Sequence, residues 1–293
     1  ECADVTLAHS RVRHSRRDGF YAEYSTATLS QTVFSANAGY GVLFDRPTGP
    51  LPAAGLSAYG NGHDGLALKN AILEGEHTWR PAGIPYLLVS VPGADEVRVT
   101  SVSTLTIAPG VEVRSQSARL HIAGTLKAIG TAAQPITFTA AVTNPTPGAW
   151  RGIRIAGTAE QPNTSSALEY VTIAYGGLDA THNLHLRWAE ATVRHSTLRH
   201  SAGQGLYGED SGATVQATHF TGNQDYAAYF TRLRGGLNLA HLTADANGTD
   251  GVALHTSDLG GEHTWDSGLP YHLLGPIHVL PGSSLALKPG VTV

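Results

Sequence analysis

Histidines are the first residues of this chain that suggest chemistry, since fifteen occur among 293 residues. Two pairs share a five-residue spacing, His9 with His14 and His195 with His200. Imidazole is a common metal ligand and proton-transfer group. Five residues that span a turn do not reliably bring two imidazoles onto one metal ion, and no cysteine or recurring carboxylate completes a ligand set. We therefore expect these histidines at turns or on the surface, and no bound metal or other cofactor.

Aspartates form a second candidate, because they recur at one position just before a glycine. The three aspartates at this position are Asp18, Asp64 and Asp250. Stacked carboxylates can form a glycosidase pair or a Ca²⁺ site. Other copies of the position hold Tyr40, Gln204 and Tyr226. This variation favours a tolerant turn position over a catalytic one.

Two tryptophans, Trp79 and Trp265, close identical GEHTW segments. Each is followed shortly by a Pro-Tyr dipeptide, so the pair could provide platforms for stacking against sugar rings. They could equally fill the core at the point where each repeat begins. We favour the packing role and keep glycan stacking as the alternative.

These residues belong to a long internal repeat. Residues 1–79 align without gaps to residues 187–265, and 36 of the 79 positions are identical. The chain is therefore interpreted as part of a tandem array. Residues 1–74 are the tail of one 186-residue repeat, residues 75–260 are one complete repeat, and residues 261–293 start the next.

A shorter period of about 22 residues lies inside the long one. Apolar residues recur at this spacing in two columns, one through Val193, Val215 and Leu237 and one through Leu198, Phe220 and Leu242. Polar residues at a recurring turn, each followed four residues later by a small residue, form what we call the turn ladder. Its members are Ser15, Asn37, Asn61, Ser201, Asn223 and Asn247, with Gly19, Gly41, Gly65, Gly205 and Gly251. We expect the Asn and Ser side chains to bond from coil to coil, and the glycines to supply a positive φ.

Local composition predicts an all-β fold. Short segments alternate between apolar and polar residues, which is typical of strands, whereas 34 glycines and 15 prolines would interrupt helices. Coils of short strands joined by Gly and Asn turns are what a parallel β-helix requires. We predict one continuous solenoid of about 12–13 coils of roughly 22–24 residues, with uncapped ends.

Four segments carry a resemblance to a known family. They are LTIAPGVEV at 105–113, LHIAGTLKAIGTAAQPITFT at 120–139, GAWRGI at 148–153 and LEYVTIAYGG at 168–177. The chain resembles the secreted right-handed parallel β-helix repeat proteins of bacteria, within the pectate-lyase-like superfold. This resemblance implies a right-handed β-helix and covers nearly the whole chain, but the scaffold serves lyases, hydrolases, adhesins and stalks alike.

Signatures of the enzymes on this scaffold are missing from the sequence. Polygalacturonase-like members carry Gly-His-Gly and Arg-Ile-Lys tripeptides, and the nearest fragment here is the Arg-Ile-Ala of residues 154–156. Pectate-lyase-like members require an acidic calcium-binding cluster beside an arginine base, which the sequence does not reveal. We therefore predict no enzymatic activity, with a polysaccharide lyase, a hydrolase or a glycan-binding module as the alternative.

Charge argues against nucleic acid as a partner. The net charge is −4, and the one basic run, residues 11–17, keeps a single arginine in its repeat counterpart. No segment has the apolar length of a transmembrane span. We predict a structural or adhesive segment of a bacterial protein that is secreted or held at the cell surface, forming a rod, stalk or fibre. Its expected partners are its own repeats or identical chains, by coil-on-coil stacking, and cell-surface glycans.

Overall fold

The computed structural model of the protein describes residues 4–179, 182–266 and 268–293. This part of the chain consists of 36 short β-strands and contains no α-helix. It accordingly has no helix with the length and apolar character needed to cross a membrane. The all-β prediction is confirmed.

The strands follow one another closely along the chain. The first twelve are β1 (Asp4–Ala8), β2 (Arg11–Arg13), β3 (Phe20–Glu23), β4 (Thr26–Ser30), β5 (Val33–Ser35), β6 (Tyr40–Asp45), β7 (Ala53–Ala54), β8 (Ser57–Tyr59), β9 (His63–Lys69), β10 (Ile72–Leu73), β11 (Glu76–Trp79) and β12 (Tyr86–Val89). The next twelve are β13 (Glu96–Val99), β14 (Thr104–Ile107), β15 (Glu112–Gln116), β16 (Arg119–Ile122), β17 (Thr125–Ile129), β18 (Ile136–Ala140), β19 (Ile153–Ala156), β20 (Asn163–Glu169), β21 (Val171–Ala174), β22 (Leu184–Arg187), β23 (Ala189–Arg194) and β24 (Thr197–Arg199). The last twelve are β25 (Leu206–Glu209), β26 (Gly212–Gln216), β27 (His219–Thr221), β28 (Tyr226–Thr231), β29 (Leu237–Ala240), β30 (Thr243–Asp245), β31 (Thr249–His255), β32 (Ser257–Leu259), β33 (Glu262–Asp266), β34 (Tyr271–Leu273), β35 (Ile277–Val279) and β36 (Ser284–Leu287).

Three long parallel sheets run along the solenoid. Sheet I contains β3, β6, β9, β12, β15, β18, β21, β24, β27 and β30. Sheet II contains β10, β13, β16, β19, β22, β25, β28, β31 and β34, and sheet III contains β11, β14, β17, β20, β23, β26, β29, β33 and β36. Short sheets β1-β4-β7, β2-β5-β8 and β32-β35 complete the ends. Three strands per coil make about twelve coils, which confirms the predicted parallel β-helix.

Alternating residues of each strand point into the solenoid and form columns. One column of sheet II runs through Val97, Leu120, Ile153, Leu184 and Leu206, all of which are buried. Each coil thus covers the apolar surface of its neighbours, and burial of that surface is the main stabilising contribution. The intervening residues point outward and are free to vary.

The observed columns differ from the predicted 22-residue register in the coil that contains Leu237 and Leu242. Val215 pairs with Leu239, not with Leu237, and Phe220 pairs with Ala244, not with Leu242. This coil contains two extra residues, so a constant spacing misaligns it. Coil length varies more widely elsewhere, because Lys127 pairs with Ala167, 40 residues further along.

The long repeat does not contain a whole number of coils. Strand β1 and its repeat counterpart β23 are 22 strands apart, one more than seven coils of three strands contain. The extra strand is β10 in the first copy and β32 in the second, and β29 pairs with β33 across a coil of four strands. Most equivalent strands therefore fall in different sheets, although β11 and β33 both belong to sheet III. Strand β3 belongs to sheet I, whereas its counterpart β25 belongs to sheet II.

Candidate functional site

The turn ladder forms a line of buried hydrogen bonds. Asn37 Oδ1 accepts from the Ser15 N–H at 3.0 Å, and Asn37 Nδ2 donates to Asn61 Oδ1 at 2.8 Å. Ser201 N–H donates to Asn223 Oδ1 at 3.0 Å, and Asn223 Nδ2 donates to Asn247 Oδ1 at 2.7 Å. Because these amides satisfy buried backbone and one another, they stabilise the fold and leave no group for a ligand.

Asn183 is a further member of this ladder that the sequence did not reveal. It is fully buried, and its Nδ2 donates to Asn223 Oδ1 at 3.3 Å. It lies in a longer coil, where the regular spacing does not lead to it.

The ladder glycines do not have the predicted positive φ, since none of the five lies in the left-handed region. They permit close approach instead. A Cβ on Gly205 would lie 2.7 Å from the Ala227 carbonyl oxygen. A Cβ on Gly41 would meet nothing closer than 3.4 Å, which explains why its repeat counterpart is Ala227.

The paired histidines lie at separate corners of the solenoid. His195 and His200 both have positive φ, and each stacks on a tyrosine of the preceding coil, at 4.9 Å from Tyr170 and 5.1 Å from Tyr175. Within the described residues, no three His, Cys, Asp or Glu side chains group closely enough to hold a metal ion. These pairs therefore provide no ligand set.

Two of the recurring aspartates bond within their own turns, whereas Asp18 Oδ1 accepts from the Tyr40 N–H of the next coil at 2.7 Å. Asp64 Oδ1 accepts from the Asn61 N–H and Nδ2 at 3.0 and 2.7 Å, and Asp250 does the same for Asn247. Such contacts hold a turn and do not assemble a carboxylate pair.

The tryptophans considered for glycan stacking lie in the core, which removes that alternative. Trp79 and Trp265 are each 2% exposed. They stack on Tyr86 and Tyr271 at 4.9 and 4.5 Å between ring centroids. A sugar ring cannot reach them from solvent.

A cleft on the outer face of sheet II brings together a different set of residues. One outward column places Arg154, His185, Tyr207 and Tyr229 on β19, β22, β25 and β28, in consecutive coils. A second row, in the turns before three of these strands, contains His182, Gln204 and Asp225. Together with Arg119 of β16, these two rows line a cavity of about 660 Å³. We call this cavity the sheet II cleft.

Several polar atoms in the sheet II cleft are buried without a hydrogen-bond partner among the described residues. They are Arg154 Nε, His182 Nδ1, His185 Nε2 and Gln204 Oε1, although the Gln204 side chain lies close enough to His182 to interact with it and His185 Nε2 lies 3.9 Å from Glu209 Oε2. A buried polar atom without a partner costs free energy, so a cluster of them in one cavity points to a ligand.

Burial determines the protonation state of the two histidines in this cleft. It lowers the pKa of His182 to about 4. It lowers the pKa of His185 to about 3, with further lowering from His182 and from Arg154 and Arg119 nearby. Both imidazoles are therefore neutral at pH 7, and each keeps one nitrogen that can accept a proton. Burial also lowers the pKa of Arg154, but a guanidinium stays charged at this pH.

Aromatic rings form the wall of the cleft beyond these groups. Tyr207 stacks on His182 with 4.4 Å between centroids and on Tyr229 with 5.6 Å, and His185 meets its edge at 5.1 Å. Burial raises the pKa of Tyr207, so its phenol remains protonated. The rings and hydroxyl groups of this wall can contact a sugar ring.

The two ends of the cleft differ in charge. Arg119 and Arg154 lie in the earlier coils. Asp225 lies three coils after Arg154, where it accepts a 2.5 Å hydrogen bond from Gln204 Nε2. The cleft can thus hold an anionic group at one end and stack an uncharged ring beside it.

Sequence reasoning missed this cleft, although a signal was present. Three of its residues differ between the copies, with Gln204, Asp225 and Tyr229 standing where Asp18, Gly39 and Leu43 occur, whereas Tyr207 matches Tyr21. Leu43 is buried on the outer face of sheet I with Ala67, Leu87 and Val89. The signal is thus the replacement of apolar or small residues of the first copy by polar and aromatic ones in the second.

Comparison with known proteins supports the fold, and the matched segment includes the cleft. Residues 93–254, which include every residue that lines the sheet II cleft, match the family model described as a pectate-lyase like beta helix domain. Neither the curated proteins nor the solved structures gave a significant match. The matched segment is more than half of the chain. The chain belongs to the pectate-lyase like beta helix domain family.

Proposed function

We propose that this chain is an adhesive segment of a stiff bacterial rod, secreted or held at the cell surface, that binds an acidic glycan in the sheet II cleft. The observation that carries the proposal is the cluster of unpaired polar atoms beside stacked tyrosines. Arg154 would bind a carboxylate or sulfate, and the rings and hydroxyl groups of Tyr207 and Tyr229 would contact neighbouring sugar rings.

The rod itself follows from the way coils stabilise each other. Each of about twelve coils is covered by its neighbours through parallel strand pairing. A solenoid of this kind lengthens by adding repeats, without a new core. Stacking of further repeats would lengthen the rod, and stacking of identical chains would place successive clefts along one stiff support. Attachment at several clefts at once would strengthen weak individual contacts.

A polysaccharide lyase is the second candidate, and the neutral His185 beside Arg154 favours it. In that reaction Arg154 would neutralise a uronate carboxylate, and His185 Nε2 would take the proton from the adjacent carbon. Those electrons would form a carbon–carbon double bond as the glycosidic C–O bond breaks. The Tyr207 hydroxyl would give its proton to the departing oxygen, so that the step balances without an added reactant.

A glycan array probed with the purified chain tests the proposal. We expect binding to acidic glycans, and Arg154→Gln to weaken it by at least about tenfold, since a hydrogen bond to a charged group is lost. The matched control is Arg114→Gln, an outward arginine on sheet I whose side chain is 43% exposed. Equal loss in both variants, or no binding to any acidic glycan, would refute the proposal.

The same material separates adhesion from catalysis. An acidic polysaccharide that binds on the array is incubated with the purified chain. The ultraviolet absorbance of an unsaturated product is then followed. A rise that His185→Gln abolishes would favour the lyase. Unchanged absorbance and polymer length, with binding retained, would favour adhesion.

A further inference from the structure

The charge along the sheet II cleft is asymmetric, and this bears on which acidic glycan it takes. We infer that the cleft selects a glycan in which an acidic residue is followed by uncharged residues, and discriminates against a polymer that is acidic at every residue. The inference rests on the proposed function and adds a substrate class to it.

The geometry orients a chain-like ligand along the solenoid axis. Consecutive outward residues of the column lie one coil apart, about 4.8 Å. Arg154 and Tyr229 are three coils apart, or roughly 14 Å. A linear glycan lying across the strands would therefore present successive residues to Arg154, His185, Tyr207 and Tyr229 in turn.

At the cationic end, the guanidinium of Arg154 is available to bind an anionic group. Arg98, two coils before Arg154, and Arg187, one coil after it, face the carboxylates of Glu96 and Glu209 at 3.9 and 3.4 Å. Arg154, between them, has a buried Nε without a hydrogen-bond partner. An anionic group of the ligand would therefore bind at Arg154, with Arg119 beside it.

The far end is unsuited to a second anion. There the wall consists of the uncharged His182 and Gln204, the two tyrosines and the carboxylate of Asp225. A ligand carboxylate over Tyr229 would face Asp225 in a partly desolvated cavity, where repulsion is weakly screened. An uncharged ring at the same place would stack without that penalty.

Isothermal titration with three hexasaccharides tests the inference. The probes are hexagalacturonate, acidic at every residue, a hyaluronan hexasaccharide, acidic at every second residue, and uncharged cellohexaose. We expect the hyaluronan hexasaccharide to bind at least tenfold more tightly than either of the others. We also expect Asp225→Asn to strengthen binding of hexagalacturonate selectively. The control is Asp245→Asn, an exposed aspartate on sheet I.

The outcomes separate this inference from the proposed function. Hexagalacturonate binding as tightly as the hyaluronan hexasaccharide, with no effect of Asp225→Asn, would overturn the selectivity and leave acidic-glycan binding standing. Cellohexaose binding as tightly as the acidic probes would overturn both. Absence of binding to all three, together with a negative glycan array, would remove the proposed function and this inference with it.

Discussion

Replacement of Asn223 by alanine should weaken the solenoid more than any surface change in the same coil. Asn223 is 1% exposed and makes four side-chain contacts. Its Oδ1 accepts from Ser201 N–H at 3.0 Å and from Asn183 Nδ2 at 3.3 Å, and its Nδ2 donates to Leu198 O at 3.0 Å and Asn247 Oδ1 at 2.7 Å. Alanine removes all four contacts at once.

The magnitude follows from the groups left without partners. Ser201 is fully buried, so its N–H cannot turn to solvent, and Asn183 loses one acceptor. Each buried polar group left unpaired costs about 1–3 kcal/mol. We therefore expect Asn223→Ala to lower the free energy of unfolding by roughly 2–4 kcal/mol.

Urea denaturation and amide hydrogen exchange measure this effect globally and locally. The control is Asn238→Ala, an exposed asparagine one coil away, which should change stability by less than about 0.5 kcal/mol. Because each coil is stabilised mainly by its neighbours, the loss of protection should centre on the Ser201 amide. Equal effects of the two substitutions, or unchanged exchange at Ser201, would refute the reasoning.

Three further predictions concern packing, pH and burial. Gly205→Ala should destabilise the fold by about 1–3 kcal/mol, because a Cβ there would lie 2.7 Å from a backbone oxygen, whereas Gly41→Ala should be nearly neutral in the same urea titration. Stability should fall as pH drops from about 6.5 towards 3, because the lowered pKa values of His182 and His185 keep them neutral in the folded state while the unfolded chain takes up protons. The double variant His182→Gln with His185→Gln should flatten that dependence in urea titrations between pH 6.5 and 4, and an unchanged slope would contradict the assignment. Trp188→Phe should remove most of the fluorescence that iodide quenches, since the other three tryptophans are at most 2% exposed, and strong quenching that persists would show that one of them is accessible.

The fold could be predicted from the sequence because its signals are local and repeated. Apolar and polar residues alternate within strands such as β14, which marks the inward and outward faces of each coil. A buried turn position recurs from coil to coil and is occupied by Asn37, Asn61, Asn223 and Asn247. A β-helix stacks like residues on like, so the period of the chain becomes the architecture of the solenoid. Coils with extra residues broke the period, and there the predicted columns shifted by two positions.

The sheet II cleft could not be predicted in this way, because its residues come from several coils and Tyr207 alone among them recurs in the first copy, as Tyr21. Arg154 lies 28 residues before His182 and 31 before His185, yet adjoins them once their strands stack. The role of the ladder glycines was also decided only in three dimensions, since close approach to the next coil, and not a turn conformation, excludes a Cβ.

The sequence by itself thus determined which residues face inward and that the coils stack in parallel, because apolar burial follows the alternation of each strand. Only the tertiary structure decided which face carries the candidate site. The reason is the extra strand in each repeat. It moves equivalent strands to a different sheet, so the positions that bury Leu43 on sheet I in the first copy display Tyr229 in an open cleft on sheet II in the second.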